Sequence, residues 1–435
     1  MSGGALTHED VTTHEVVEVR QSRRARLTIG AFFLAAGAMC VVFALWHGPV
    51  SAARFQLAGA SAAIQIPSMR FSATTFGMAM AVVLFAVGGW QLVRGFTRRM
   101  LPWAIGLVGL GFVLAFLAWA TTGSERTTLD IPGMLNTTVF LAVPLMLGAM
   151  AGVVSERSGV INVAIEGHML AGAFAAAVTA TIAGSLGVGV VGAVVVGGLT
   201  GALLAVFAIR YVVNQVVLGV VINLLVLGLT NYLFSAVLQR NVEAFNNPGF
   251  FRQVAIPVLA EIPLVGPALF DATLLTYAAY VIVIAVHVGL YKTRWGLRTR
   301  SVGEHPKAAD TAGIEVNRLR FWNLVLAGAI AGFAGAAISI GAVGAFNSDM
   351  TAGRGFIALA AVIFGRWTPL GATGAAFLFA FTTSLQRTLS IVETPIEIPS
   401  QFLAMLPYIA TIVIVAGAIG RIRPPAADGV PYTKS

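Results

Sequence analysis

Charge is scarce in this chain. Only 10% of its 435 residues are Asp, Glu, Lys or Arg, while 57% are hydrophobic; a soluble domain carries about 25% charged residues. There is too little polar surface to cover a water-soluble globule, and too much apolar sequence for a disordered chain. The apolar residues run continuously instead of alternating, which excludes an outer-membrane barrel. Cysteine is nearly missing. Cys40 alone excludes an internal disulfide and any Cys-based metal cluster, and its apolar neighbours read as those of a small buried hydrophobe. Lysine occurs three times, at Lys292, Lys307 and Lys434, and never in the G-K-[ST] order of a phosphate-binding loop. The six histidines form no H-E-x-x-H. The sequence therefore offers no catalytic constellation, no metal-ligand set and no cofactor site.

What is present is one apolar segment after another, each near the roughly 20 residues that span a bilayer. Twelve candidates are 27–46, 72–93, 101–120, 134–154, 160–183, 187–209, 213–237, 272–291, 321–345, 352–365, 369–386 and 400–420. The first is read as a retained span, since 26 residues precede it and its apolar core is too long for a signal peptide. The tenth is too short to cross and reads as a broken or re-entrant piece. The expected fold is all-α and polytopic, with about 11–12 transmembrane helices. With the N-terminus inside, alternate loops hold twenty of the 27 Lys and Arg residues, the outside loops hold six, and Arg354 lies near a segment end. This asymmetry follows the positive-inside rule and places both termini in the cytoplasm. The net charge of +9 is then a topology signal and does not point to nucleic acid.

Two places interrupt the apolar pattern in the same way. SERSGVINVAIEGHMLAGAF (155–174) follows the fourth span, and NSDMTAGRGFIALAAVIFGRWTPLGATGAAF (347–377) follows the ninth. Each puts charge and glycine where hydrocarbon is expected. The two units lie an odd number of spans apart and so run in opposite directions. Interrupted segments at matching places of an inverted repeat point to a transport site. Gly197 with Gly201, and Gly328 with Gly332, have the spacing that lets helix backbones approach closely.

The longest inside loop, 292–320, contains GEHPKAADTAGI (303–314). Ala308, Ala309 and Gly313 match the A-A-x-x-x-G core of the cytoplasmic helix by which importer permeases dock on an ATPase. Pro306 suits the first turn of a short helix and Gly313 its end. A basic helix lying at the lipid headgroups has the same composition, and the spacing alone leaves both readings open.

Four separated motifs, SERSGVINVAIEGHMLAGAFAA, VVNQVVLGVVINLLVLGLTNYL, GLRTRSVGEHPKAADTAGIEVNRLRFW and GRGFIALAAVIFGRWTPLGA, resemble the permease subunits of bacterial ABC importers, in the ribose/branched-chain amino acid permease superfamily. The nucleoside and simple-sugar branch is the nearest. The similarity covers about 132–420, with one departure: Lys307 stands before the two alanines, where the docking pattern often has Glu. The resemblance implies a ten-span core over 101–420 with inverted repeats and broken helices. Residues 1–100 would add a cytoplasmic tail and two extra spans, and 421–435 a cytoplasmic C-terminal tail. It also implies a cytoplasmic ATPase that binds the ATP, a second homologous permease, an extracytoplasmic substrate-binding lipoprotein, and a place in the bacterial plasma (inner) membrane. The expected function is nucleoside translocation; simple-sugar or branched-chain amino acid import, or an ion-coupled secondary carrier, are the alternatives. Docking on the ATPase would fall to Gly303, Glu304, Pro306, Ala308, Ala309 and Gly313.

Candidate pathway residues come from polar groups inside the spans. Glu166 is the one acid placed within a span; it would face a substrate path, or serve as a structural acid at a helix start or beside Arg157. Asn162 lies four positions earlier. Asn214 and Asn223 recur along the seventh span, where they would bond neighbouring helices or substrate hydroxyls. Arg354, between two glycines, would bind a substrate oxygen or anchor at the headgroups. Phe356 would stack on a base or face lipid.

Overall fold

Backbone amides that cannot reach water must bond within their own segment, so the apolar runs form helices. The computed structural model describes residues 22–58, 66–97, 99–125, 127–406, 408–409 and 423–433. Its helices are α1 (Arg23–Leu45), α2 (Ala73–Val93), α3 (Leu101–Ala120), α4 (Ile131–Glu156), α5 (Ile165–Ala183), α6 (Leu186–Ala205), α7 (Gln215–Leu233), α8 (Val242–Phe245), α9 (Gly266–Leu269), α10 (Leu274–Lys292), α11 (Arg294–Glu304), α12 (Pro306–Thr311), α13 (Val316–Ile338), α14 (Arg354–Phe364), α15 (Pro369–Leu389) and α16 (Ser400–Ala404). The protein is an all-α polytopic membrane protein. Among the described residues nine helices are long and apolar enough to cross a membrane: α1 to α7, α10 and α13. α15 has 21 residues but is more polar, and α14 has only 11, as the short tenth segment led one to expect. Most of the twelfth segment, 400–420, and the tail before Ser22 lie outside the described residues.

The chain divides into two units. In the first, α1 and α2 pack antiparallel, with Gly77 against Ala44 and Gly88 against Leu34. α3, which the resemblance assigns to the permease core, packs here on α1 and α2. Phe43 stacks on Trp119 at 5.4 Å, and Trp119 Nε1 donates to the Trp46 carbonyl at 2.7 Å. Cys40 is buried and free, as its neighbours indicate.

The second unit is built around α4 and α13, both buried along most of their length. Alanine and glycine dominate their faces, so neighbouring backbones come close. The two glycine pairs noted in the sequence pack against each other: a Cβ on Gly197 would sit 2.7 Å from the Gly332 Cα, and one on Gly328 2.8 Å from the Gly201 Cα. α5 joins the same seam through Gly172, which faces Gly332. Outside the helices, strands Gln253–Ala255 and Asp271–Thr273 pair antiparallel.

Candidate functional site

The two interruptions meet. α4 and α14 run parallel, with Gly148 facing Ala358 and Gly152 facing Val362. The segment 157–164 leaves α4 and turns back into α5, while 344–353 leads from α13 into α14. Helix starts leave N–H groups without intrahelical partners. Here they are satisfied across the junction. Glu166, in the first turn of α5, caps the other helix: its Oε1 accepts from Thr351 Oγ1 at 2.6 Å and from the Gly353 N–H at 2.8 Å, and its Oε2 from the Gly355 N–H at 2.5 Å. A carboxylate at a helix N-terminus is favoured by the dipole as well as by the bonds. The approach is tight, since a Cβ on Gly355 would lie 2.5 Å from the Glu166 backbone. Arg157 bonds elsewhere, with Nε donating to the Trp367 carbonyl at 2.7 Å.

Asparagine amides satisfy the backbone of both interruptions. Asn223 accepts from the Gly167 N–H at 2.7 Å and donates to the Val163 carbonyl at 2.9 Å. Asn246 does the same for the second, accepting from the Phe346 N–H at 2.7 Å and donating to its carbonyl at 2.9 Å. Gln215 accepts from the Ile161 N–H, and Ser348 donates to Asn231 Oδ1 at 2.6 Å. α7 thus carries a row of amides that hold both interruptions. Asn162 is wholly buried, with neither side-chain polar atom hydrogen-bonded among the described residues. Asn214 caps α7 from an exposed position, accepting from the Val216 and Val217 N–H groups. Asp349, Ala352 and Gly353 all take left-handed φ values just before α14, the kind of backbone strain that gathers at functional sites.

Beside the junction lies a cavity of about 280 Å³, between α4, the end of α13, the second interruption and α15. Phe140, Asn347, Arg354 and Arg387 line it with apolar neighbours such as Leu141 and Met350. Arg354 Nη1 donates to the Met350 carbonyl at 2.7 Å. Neither arginine forms an ion pair among the described residues. Ring face, amide and guanidinium groups in one apolar pocket suit a small ligand rich in acceptor atoms. Phe356 is half-exposed on α14 and is not part of the lining.

At the other end of α4 sits the α11–α12 hairpin. Pro306 opens α12 and Gly313, at φ 83°, follows its end, where the Ile314 N–H bonds back to the Ala309 carbonyl at 3.1 Å. Ala309 faces inward, in a small core with Val302 and Val316. Gly303 abuts the Arg157 carbonyl, and Glu304 lies 3.9 Å from Arg157. The surface that remains open is a groove of about 480 Å³ lined by Leu297, Arg300, His305, Ala308 and Ala312, among others. Ala308 and Ala312 are the exposed small residues of this groove, whereas Ala309, which also lines it, is buried and packs in the hairpin's own core.

The segment 423–433 closes this region, and Asp428 lies within it. Burial pushes its carboxyl from 3.8 up to about 7, against the opposing pull of the Arg320 guanidinium and the Gly429 N–H. Glu156 also faces it as a like charge. A carboxyl raised in the folded state favours the docked segment most at low pH, and that contribution is lost as pH rises through about 7. Proteolytic nicking of this segment is expected to quicken as pH rises from the ordinary carboxyl value of 3.8 up to about 7, and to level off above that, relative to Asp428→Asn at each pH. Equal pH profiles for the two proteins would contradict this.

Residues 134–416 match the family model for the permease component of the branched-chain amino acid transport system. The chain is 38% identical over 304 residues to a guanosine ABC transporter permease of Bacillus subtilis, covering 68% of this chain and 95% of the relative. It is 38% identical over 302 residues to a nucleoside ABC transporter permease of Lactococcus lactis, covering 68% and 94%. A putative glucose ABC transporter permease of Haloferax volcanii is 33% identical over 309 residues, covering 66% and 92%. No solved structure matches. Both interruptions, the hairpin and the cavity lie within the matched region, and α1 to α3 precede it.

Proposed function

The chain belongs to the family of branched-chain amino acid transport system permease components, and from that premise we propose that it is the translocating subunit of an ATP-driven nucleoside importer in a bacterial plasma membrane. As a permease subunit it is a transport protein and not an enzyme. The observation that carries the substrate reading is the 38% identity to two permeases named for guanosine and for nucleosides, over almost their whole length. The cavity at the paired interruptions supports it, because Arg354 and Asn347 offer donors to base and ribose oxygens and Phe140 offers a ring face. In this reading the ATP is bound by a separate cytoplasmic ATPase, a second homologous permease completes the membrane pore, and an extracytoplasmic binding lipoprotein delivers substrate. Both termini and the α11–α12 hairpin face the cytoplasm, in keeping with the positive-inside count.

The experiment is uptake of labelled inosine and guanosine by cells expressing the complete transporter, with ATP supply intact and the proton gradient collapsed. Continued uptake is expected. Immediate loss would make it an ion-coupled carrier, and transport of glucose in preference to nucleosides would reassign the substrate.

The ATPase seat in this reading is the groove on the hairpin. Ala308→Trp fills that groove from an exposed position, and neither Val302 nor Val316 of the inner core lines it. At least tenfold less co-purifying ATPase is expected, with the permease still in the membrane. Wild-type recovery of ATPase would remove the groove from the docking surface.

A further inference from the structure

We propose that the C-terminal segment 423–433, with Arg320, is a positioning element of transport that carries displacement of the α11–α12 hairpin to the interrupted segment 157–164. This rests on the reading of the hairpin as the ATPase seat. The segment has little regular structure, yet it is pinned at both ends of that route. On the hairpin side, the Ala427 N–H donates to the Gly303 carbonyl at 2.8 Å and the Ala426 N–H to Glu304 at 3.2 Å. Tyr432 packs against the core formed by Val302, Ala309 and Val316. On the other side, Gly429 takes a left-handed φ of 74°, and a Cβ there would lie 2.7 Å from Ile161. A Cβ on Gly159 would lie 3.0 Å from the Ala427 carbonyl.

Arg320 joins the two sides. It is almost fully buried in the second turn of α13, the helix that leaves the hairpin. Its Nε donates to the Ser158 carbonyl at 3.0 Å and its Nη1 to the Val430 carbonyl at 2.9 Å. Asp428 faces it as the opposite charge. A buried guanidinium is costly unless paired and hydrogen-bonded, so removing the segment strips Arg320 of Val430 and Asp428 and loosens its hold on Ser158. Ser158 begins the stretch that runs through Asn162 to Glu166, and Glu166 holds the start of α14. The hairpin also touches Arg157 directly through Gly303. The segment is wedged against that contact, so a shift of the hairpin has a close-packed path into the interruption and little slack to absorb it.

The test uses the assembled transporter in proteoliposomes with its binding protein. A chain ending at Arg423, Gly429→Ala and Arg320→Gln are compared with wild type for recovered ATPase, ATP hydrolysis and nucleoside uptake. Arg320→Lys, which keeps the charge and one donor direction, serves as the conservative variant. Truncation is expected to leave ATPase recovery and hydrolysis within about twofold of wild type and to lower uptake at least tenfold, so that ATP used per molecule carried rises about tenfold. Arg320→Gln should act likewise, Arg320→Lys should restore part of the coupling, and Gly429→Ala should raise the ratio about threefold. A ratio within twofold of wild type in the truncated chain overturns the proposal. If the truncated chain fails to assemble, Gly429→Ala decides in the same way. Failure of the docking reading is separate: it is read from ATPase recovery in Ala308→Trp, not from the coupling ratio.

Discussion

Glu166→Leu is expected to abolish uptake and to leave little assembled protein. The carboxylate accepts from two backbone N–H groups at the start of α14 and from the Thr351 hydroxyl. Leucine leaves the buried Gly355 N–H and the part-buried Gly353 N–H without an acceptor, at about 1–3 kcal/mol each. It also removes the negative charge that the helix N-terminus favours, worth up to ~2 kcal/mol in partly buried sites. The hydroxyl can rotate to another acceptor and adds less. A total of roughly 2–8 kcal/mol is a large part of the 5–15 kcal/mol that holds a folded domain. Glu166→Gln is the informative companion. It keeps one oxygen for Thr351 and Gly353 but turns an amide toward the Gly355 N–H, donor against donor. Assembly should survive at a cost of about 1–3 kcal/mol, with uptake reduced but still indifferent to the proton gradient. The measurements are yield of monodisperse protein and uptake with the gradient collapsed. Wild-type yield and uptake from Glu166→Leu would dismiss the clamp. Uptake by Glu166→Gln that has lost a proton dependence present in wild type would make Glu166 a proton carrier.

The interruptions were legible because charge and glycine are costly inside an apolar run and stand out against it. The short tenth helix and the two glycine pairs followed from length and spacing alone. The partners of Glu166 were not legible, since Gly353 and Gly355 lie nearly 190 residues away and contribute only backbone N–H groups. Asn246 sits in a loop outside the apolar spans, where nothing separates a clamp from a solvated side chain. The C-terminal segment left still less trace, because it is held through the Ala427 N–H and the Val430 carbonyl, atoms that almost any sequence supplies. In the hairpin, A-A-x-x-x-G gave the end of the short helix but not the face that packs inward. With six residues in α12, that face is set by Val302 and Val316 from the flanking helices, which draw Ala309 inward and leave Ala308 out. α3 resembles the permease spans in composition, and only packing shows it to lie on α1 and α2.

Gly332→Leu is expected to prevent the second unit from forming. Between helices in lipid there is little hydrophobic drive, and association relies on close packing of small residues. Gly332 lies where α5, α6 and α13 come together. A Cβ there would press on the Ala193 carbonyl and come within 2.9 Å of the Gly197 Cα, and Gly172 approaches the same residue from α5. Those neighbours are backbone atoms of helices, which cannot turn aside as a side chain can. Overpacking a core ordinarily costs about 1–3 kcal/mol because neighbours shift; here relief requires separating α13 from α6 and α5 along the seam. The Glu166 clamp belongs to α5, so the separation also carries it away from α14. Membrane-inserted, detergent-stable protein should fall at least tenfold, and the thermal transition of any remainder should drop well below wild type. Gly228→Leu is the control, since a Cβ at Gly228 meets nothing within 4 Å, and it should behave as wild type. Equal yield and equal thermal transition for the two variants would mean that the α6–α13 seam tolerates a wider spacing, and the close contact of the glycine pairs would then not be what holds the unit together.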